Sequence, residues 1–235
     1  MNIFQQVITL YRELKNEIPP IHINEKCDQV VIIDPGHGGL LNGRYTTAPD
    51  KMAIHDDFTF WEGVWTRAVA WSFAMELRTA QRNYVILVPG DKDIYLSQRL
   101  ALIREIVKSL PKTKKFYVNS IHGNAFGVEA VRGVEVFTSP GETVSDPLAH
   151  VYFDELKELK WKMRPGNGLG NPDKEARFAM LTGPEAIGVP AILTETGFYT
   201  NREQAAEMCE IRTIAKIANI MKNADVRIDY RGLLY

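Results

Sequence analysis

VVIIDPGHGG, residues 30–39, is the stretch from which the fold follows. Its first five residues form a short apolar run rich in β-branched side chains and closed by Pro-Gly, which reads as a strand buried on both faces. Strands of that kind belong to sheets covered by helices on each side, so the surrounding sequence should alternate between the two element types. It does. Trp61, Val64, Trp65, Ala68, Val69, Ser72 and Phe73 recur at helical spacing along one face of a long helix. YVILVP (84–89) is a second strand, and Leu96, Leu100, Ile103 and Val107 mark a helix that stops near Pro111. KFYVNSI (115–121) and GVEVFTS (133–139) are further strands. Leu148, Val151, Tyr152, Leu156 and Leu159 trace another helix, AILTET (191–196) is a strand, and residues 202–221 form a closing helix. The expected fold is a single α/β domain with a mostly parallel, twisted sheet flanked by helices on both faces. Residues 40–58 read as a long polar loop.

Composition narrows the function classes. The 235 residues carry 28 Lys and Arg against 29 Asp and Glu, a formal net charge of -1, so no general excess of positive charge draws nucleic acid or anionic lipid. No apolar run approaches the roughly 20 residues of a membrane-spanning helix. Two cysteines, Cys27 and Cys209, exclude a disulfide framework and a four-thiolate zinc site. Residues 1–20 open with Ile3, Phe4, Val7, Ile8, Tyr11 and Leu14 at helical spacing, with Gln5, Gln6, Arg12 and Glu13 between them. That pattern predicts an amphipathic helix packed on the domain and ended by Pro19–Pro20, an extension before a core of residues 28–223. It does not read as an export signal.

In sheets of this kind, sites gather beyond the carboxyl ends of the strands. His37 follows the first strand, His122 ends the third, Glu195 lies at the end of the strand AILTET, and Glu62 opens the first long helix. Two imidazoles and one carboxylate, with a position left for water, suit a catalytic zinc, and a second carboxylate can take the proton from that water. Each has a plainer explanation: a histidine after a strand is commonly a turn residue, and a glutamate at a helix start suits the helix dipole. Glu195 is less easily dismissed, because a carboxylate in an apolar strand end needs a partner or a task. The glycines around His37 lack the spacing and the lysine of a phosphate-binding loop. Position thus points to a metal hydrolase, leaves open which glutamate is the ligand, and names no substrate.

The ordered segments VVIIDPGHGG, a helix beginning with Glu62, NSIHGNAF, GVEVF and PAILTETGFYTN resemble the zinc-dependent N-acetylmuramoyl-L-alanine amidases of type 3, and DIYLSQR (93–99) resembles that family's Leu-x-x-Arg helix start. The resemblance covers most of the chain. It implies one zinc held by His37, Glu62 and His122, with Glu195 as the catalytic carboxylate. It also implies peptidoglycan as substrate, cut between N-acetylmuramic acid and L-alanine. Loop 40–58 departs from the family pattern and offers His55, Asp56 and Asp57 as rival ligands; Glu62 is preferred because a helix holds a ligand rigidly. His150 is expected to be a surface or packed residue. Loop 40–58 and segment 163–172 are expected to border the substrate groove, with Arg44, Tyr45, Asn124, Arg132 and Arg164 as groups that could read the peptide stem. An inactive peptidoglycan-binding module and a zinc peptidase acting on the stem are the alternatives. A single-domain amidase with such an amino terminus resembles a phage or prophage endolysin, made in the cytoplasm and released to the wall through a holin.

Overall fold

The computed structural model describes residues 2–47, 51–166 and 171–234. The chain begins with α1 (Ile3–Glu17), then β1 (Ile21–His22), β2 (Gln29–Pro35), the short strands β3 (Leu40–Leu41), β4 (Arg44–Tyr45), β5 (Met52–Ile54) and β6 (Thr59–Trp61), and α2 (Glu62–Thr79). Next come β7 (Asn83–Ile86), α3 (Leu96–Ser109), β8 (Lys115–Asn124), β9 (Val134–Thr138) and α4 (Asp146–Leu156), which tightens into a 3-10 turn. β10 (Lys174–Glu175), α5 (Ala179–Glu185), β11 (Ala191–Phe198), α6 (Arg202–Cys209) and α7 (Ile211–Tyr230) complete it.

Seven strands form one sheet in the order β1-β7-β2-β8-β11-β9-β10. The central strands β7, β2, β8 and β11 are parallel, and β1 and β9 run antiparallel to their neighbours β7 and β11. β2 is buried along its whole length, which its apolar sequence requires. Alternate side chains serve opposite faces: Val31 and Ile33 join the core beneath α1, α2, α4 and α7, whereas Ile32 joins a smaller core with Ile103, Met180 and Leu181 from α3 and α5.

Three elements differ from expectation. Residues 40–58 are not a plain loop, because β3–β4 and β5–β6 form two small antiparallel ribbons. α2 does not present a single apolar face: residues 62–74 are all buried, since the sheet lies on one side and α1 and α7 cover the rest. The amino-terminal helix is thus a lid over α2, with Phe4, Val7, Ile8 and Tyr11 buried, each worth ~1.5–3 kcal/mol by its removal from water. The closing helix is two helices broken at Glu210, whose backbone is extended (φ -66, ψ 129). It also runs past residue 223: Ala224, Asp225 and Ile228 are buried. Buried Asp225 accepts from Gln29 and Tyr117 and pairs with Arg82 at 2.8 Å, which ties the last helix to the sheet.

Candidate metal centre and active site

The carboxyl ends of β2, β8 and β11 meet at one edge of the sheet. Parallel register sets Asp34 beside Ser120 and Glu195 beside His122. Beyond β2 the chain must turn at once. Backbone Gly36 N–H donates to the carbonyl of Ile121 (2.9 Å), and a Cβ at position 36 would stand 2.4 Å from His122 Cε1, so only glycine lets the turn lie against that imidazole. His37 then adopts a left-handed backbone (φ 60), a strained conformation for a residue with a side chain.

Arg99, early in α3, holds the turn in place. It is 2% exposed, pairs with buried Asp34, and donates to the carbonyls of Pro35 and His37 at 2.8 Å each. Ser120 Oγ donates to the other Asp34 oxygen (2.7 Å). Glu62 arrives from elsewhere. As the first residue of α2 it is delivered by the ribbon β5–β6, and its N–H donates to the carbonyl of Lys51 (3.0 Å). A Cβ at the next residue, Gly63, would stand 1.9 Å from Gly38 O, so helix and turn touch backbone to backbone.

The result is a convergence of three side chains. Glu62 Oε1 lies 3.2 Å from His37 Nε2 and 3.0 Å from His122 Nδ1, and ligand atoms of the three residues all lie within 4.8 Å of one another. Burial alone would raise the Glu62 pKa. Hydrogen bonds and charge from His122 and His37 outweigh that and hold the carboxyl down at about 2. Burial likewise pulls His122 down, but the Glu62 carboxylate outweighs it and the imidazole stands above its usual value. This is one anionic oxygen between two nitrogen donors, a set that could hold a divalent cation.

Glu195 lies beside His122 across the strand pair. Its Oε2 is buried and has no hydrogen-bond partner among the described residues. Burial raises its pKa to about 8; His122 opposes the rise, Glu62 and Glu135 add to it, and Lys51 opposes it. A register shift between Glu195 and Phe198 bends β11 here, at Gly197 (φ +99). Such a bulge re-aims side chains at the end of a strand.

Two cavities share His37, His122, Leu96 and Met180 and so form one cleft with two arms. One arm, of about 590 Å³, passes Thr46, Asp93 and Tyr95; the other, of about 390 Å³, holds Glu195, Lys51, Arg177 and Phe178. Of loop 40–58, Thr46 and Lys51 line the cleft; residues 48–50 lie outside the described residues, as do 167–170 of segment 163–172. The five groups expected to read the stem line neither arm. Tyr45 accepts from Gly63 N–H and donates to the Lys51 carbonyl, a support for the Glu62 helix. Asn124 and Arg164 both donate to Glu135 at 2.8 Å. Arg132 pairs with Glu203 and Glu207, and Arg44 is exposed on β4. The rival ligand His55 hydrogen-bonds the Tyr199 carbonyl (3.0 Å) through Nε2 and stands apart from the three-residue cluster. His150 pairs with Asp173.

A site of two imidazoles, one ligand carboxylate and one unpartnered buried carboxylate, at the strand ends of an α/β sheet, defines a metal-dependent hydrolase in architecture. Residues 31–224 match the family described as N-acetylmuramoyl-L-alanine amidase, and the chain belongs to that family of peptidoglycan-cleaving enzymes. The fold is shared with solved structures at low identity. An N-acetylmuramoyl-L-alanine amidase from Clostridium difficile 630 aligns at TM-score 0.70 and 23% identity, over 86% of this chain and 97% of that one. The amidase AmiC2 of Nostoc punctiforme aligns at 0.66 and 22%, over 86% and 98%. The catalytic domain of the CD27L endolysin targeting Clostridia difficile aligns at 0.56 and 17%, over 85% and 97%. No curated protein matches the chain.

Proposed function

We propose that this amidase is zinc-dependent and cleaves the bond between the lactyl carbonyl of N-acetylmuramic acid and the nitrogen of L-alanine. The observation that carries the proposal is the orphaned Glu195 Oε2 beside the His37–Glu62–His122 cluster: a buried carboxylate oxygen without a protein partner is costly unless a reacting group meets it. The donor set fits zinc, which accepts imidazole nitrogen and carboxylate oxygen in sites with an open fourth position. When bound, zinc supplies Lewis acidity toward the carbonyl and lowers the pKa of water to about 7 in well-studied enzymes.

The chain's own groups do the rest. His37, Glu62 and His122 would hold the ion; Arg99 and the glycine contacts fix the turn that carries His37. Glu195 Oε2 accepts a proton from the attacking water and returns it to the departing alanine nitrogen. A carboxyl whose pKa stands at about 8 before a cation arrives lies close enough to neutrality to serve in both directions. The test is product analysis on purified wall material, with and without a chelator. Chelator-sensitive release of peptides with L-alanine amino termini from intact glycan is expected. Cleavage within the stem, or full activity in chelator on metal-free protein, overturns the reading.

The biological setting is a second proposal: a phage or prophage endolysin, made in the cytoplasm and acting on the wall after release. Its motive is the amino-terminal sequence, which does not read as an export signal; the catalytic domain of the CD27L endolysin shares the fold alone. Co-expression with a holin should lyse the host where either protein alone does not.

A further inference from the structure

The arm of the cleft that holds Glu195 is lined by two cations, Lys51 and Arg177. Both side chains are exposed, and neither pairs with a carboxylate among the described residues, although most other arginines of the chain do. Lys51 is not a loose surface residue. Its carbonyl accepts from the N–H of Glu62 and from the hydroxyl of Tyr45, so its backbone is fixed to the start of the metal-ligand helix. Arg177 immediately precedes Phe178, whose exposed ring lines the same arm and which caps the start of α5.

The chemistry of amide hydrolysis assigns a direction to this cleft, an assignment that rests on the amidase reading above. The group that protonates the leaving nitrogen must stand on the leaving side of the scissile bond. Glu195 therefore places the departing peptide in its own arm, and the glycan in the larger arm past Tyr95 and Thr46. A neutral amide has no use for two unpaired cations beyond the leaving nitrogen; a peptide stem bearing free carboxylates does. We propose that Lys51 and Arg177 form an anion subsite that binds a carboxylate of the peptide stem on the leaving-group side of the scissile amide.

The experiment compares N-acetylmuramoyl dipeptides whose second residue ends either in a free carboxylate or in a carboxamide. The free-acid substrate should be favoured about tenfold in kcat/KM, through KM rather than kcat, and less so as salt rises. Lys51→Gln with Arg177→Gln should bring the ratio of the two substrates to about one, at normal zinc content. Calorimetry with the released L-alanyl peptides, acid and amide, reads the same subsite without turnover. Equal cleavage and equal binding of the two forms by the unaltered protein overturns the subsite and leaves the amidase intact, as does a carboxylate preference that survives both substitutions. Carboxylate-dependent binding that both substitutions abolish, with neither dipeptide cleaved, supports the subsite and overturns the amidase reading.

Discussion

Replacing Glu195 by Gln separates function from stability with opposite signs. In the metal-free protein the folded-state pKa of Glu195 is about 8 against the usual 4.5, chiefly because burial penalises the charged form. A raised folded-state pKa means that the folded chain holds the proton more tightly than the unfolded one. The associated stability is fully present below pH 4.5 and is lost as pH rises toward 8. At ~1.4 kcal/mol per pH unit, the loss between pH 4.5 and 7 comes to about 3 kcal/mol. Glutamine is neutral throughout, so the variant should gain on the wild type over that window, by up to about 3 kcal/mol, part of it offset because His122 loses the favourable charge of Glu195. The assay is urea unfolding of chelator-treated protein and variant at half-unit steps from pH 5 to 8. Zinc should flatten the curve, since positive charge beside Glu195 favours its ionised form. In the same preparations the variant should retain metal yet lose about 10²–10⁴-fold in kcat, the usual contribution of a positioned acid–base group. A stability difference that is flat with pH would refute the reasoning, because it would mean that the carboxyl is solvated rather than held in an apolar strand end.

Alanine in place of His37, Glu62 or His122 should each abolish stoichiometric zinc by elemental analysis of the purified protein; retention of one equivalent in any of the three would remove that residue from the ligand set. Gly36→Ala sets a methyl 2.4 Å from His122 Cε1 and should weaken zinc affinity, read by competition with a chromogenic chelator, more than it lowers the melting temperature. Arg99→Ala strands the buried Asp34 carboxylate and should cost about 3–5 kcal/mol in denaturant unfolding; a loss under 1 kcal/mol would show that Asp34 finds another partner. Phe4→Ala should cost about 3–5 kcal/mol, because its ring packs edge-on against Phe60 and Trp61 beneath α1. An unchanged denaturation midpoint would show that α1 is not part of the core.

The central strands were legible because a strand buried on two faces has to be apolar, and 30–34, 115–121 and 191–196 have that composition. His37, His122 and Glu195 could be placed for the same reason: strand ends are visible in sequence, and their side chains stand at one edge of the sheet. Glu62 was harder, since its delivery depends on β5–β6, a ribbon of three-residue strands too short to leave a periodic signal. The one-faced pattern of 61–73 could not show that α1 and α7 would cover the remaining sides of α2, because burial by a distant element leaves no local mark. The break at Glu210 escaped as well; an apolar pattern passes through it, and only the extended backbone there reveals two helices. Loop polarity does not mark Arg44, Tyr45, Asn124, Arg132 and Arg164 as substrate contacts, because polar loop residues commonly satisfy one another, as Arg132 does with Glu207 and Arg164 with Glu135. Lys51 and Arg177 carry the opposite signal, charge without a partner among the described residues, and that signal exists only in three dimensions.

The site concentrates the chain's departures from local rules within a few residues of one another. His37 is left-handed, Gly36 and Gly63 sit where no other side chain fits, Asp34 and Arg99 are charges in the interior, and Glu195 is a carboxylate with an unsatisfied oxygen. Each is unfavourable alone, and the buried Asp34 and the strained turn are compensated from other elements: β8 supplies Ser120 to Asp34, and α3 supplies Arg99 to Asp34 and to the turn. α1 joins this scheme from outside the residues that match the family. Tyr11 and Lys15 hold the Asp91 carboxylate at 2.7 and 2.9 Å, and the carbonyl of Asp91 accepts from the N–H of Gly39, the last residue of the turn that carries His37. The amino-terminal helix therefore reaches the ligand turn through one residue. Tyr11→Phe with Lys15→Met should leave α1 packed, since the buried rings and stems remain, yet free Asp91 and loosen the turn. A several-fold fall in zinc affinity with little change in the unfolding midpoint is the expected signature, and an unchanged affinity would confine α1 to covering α2.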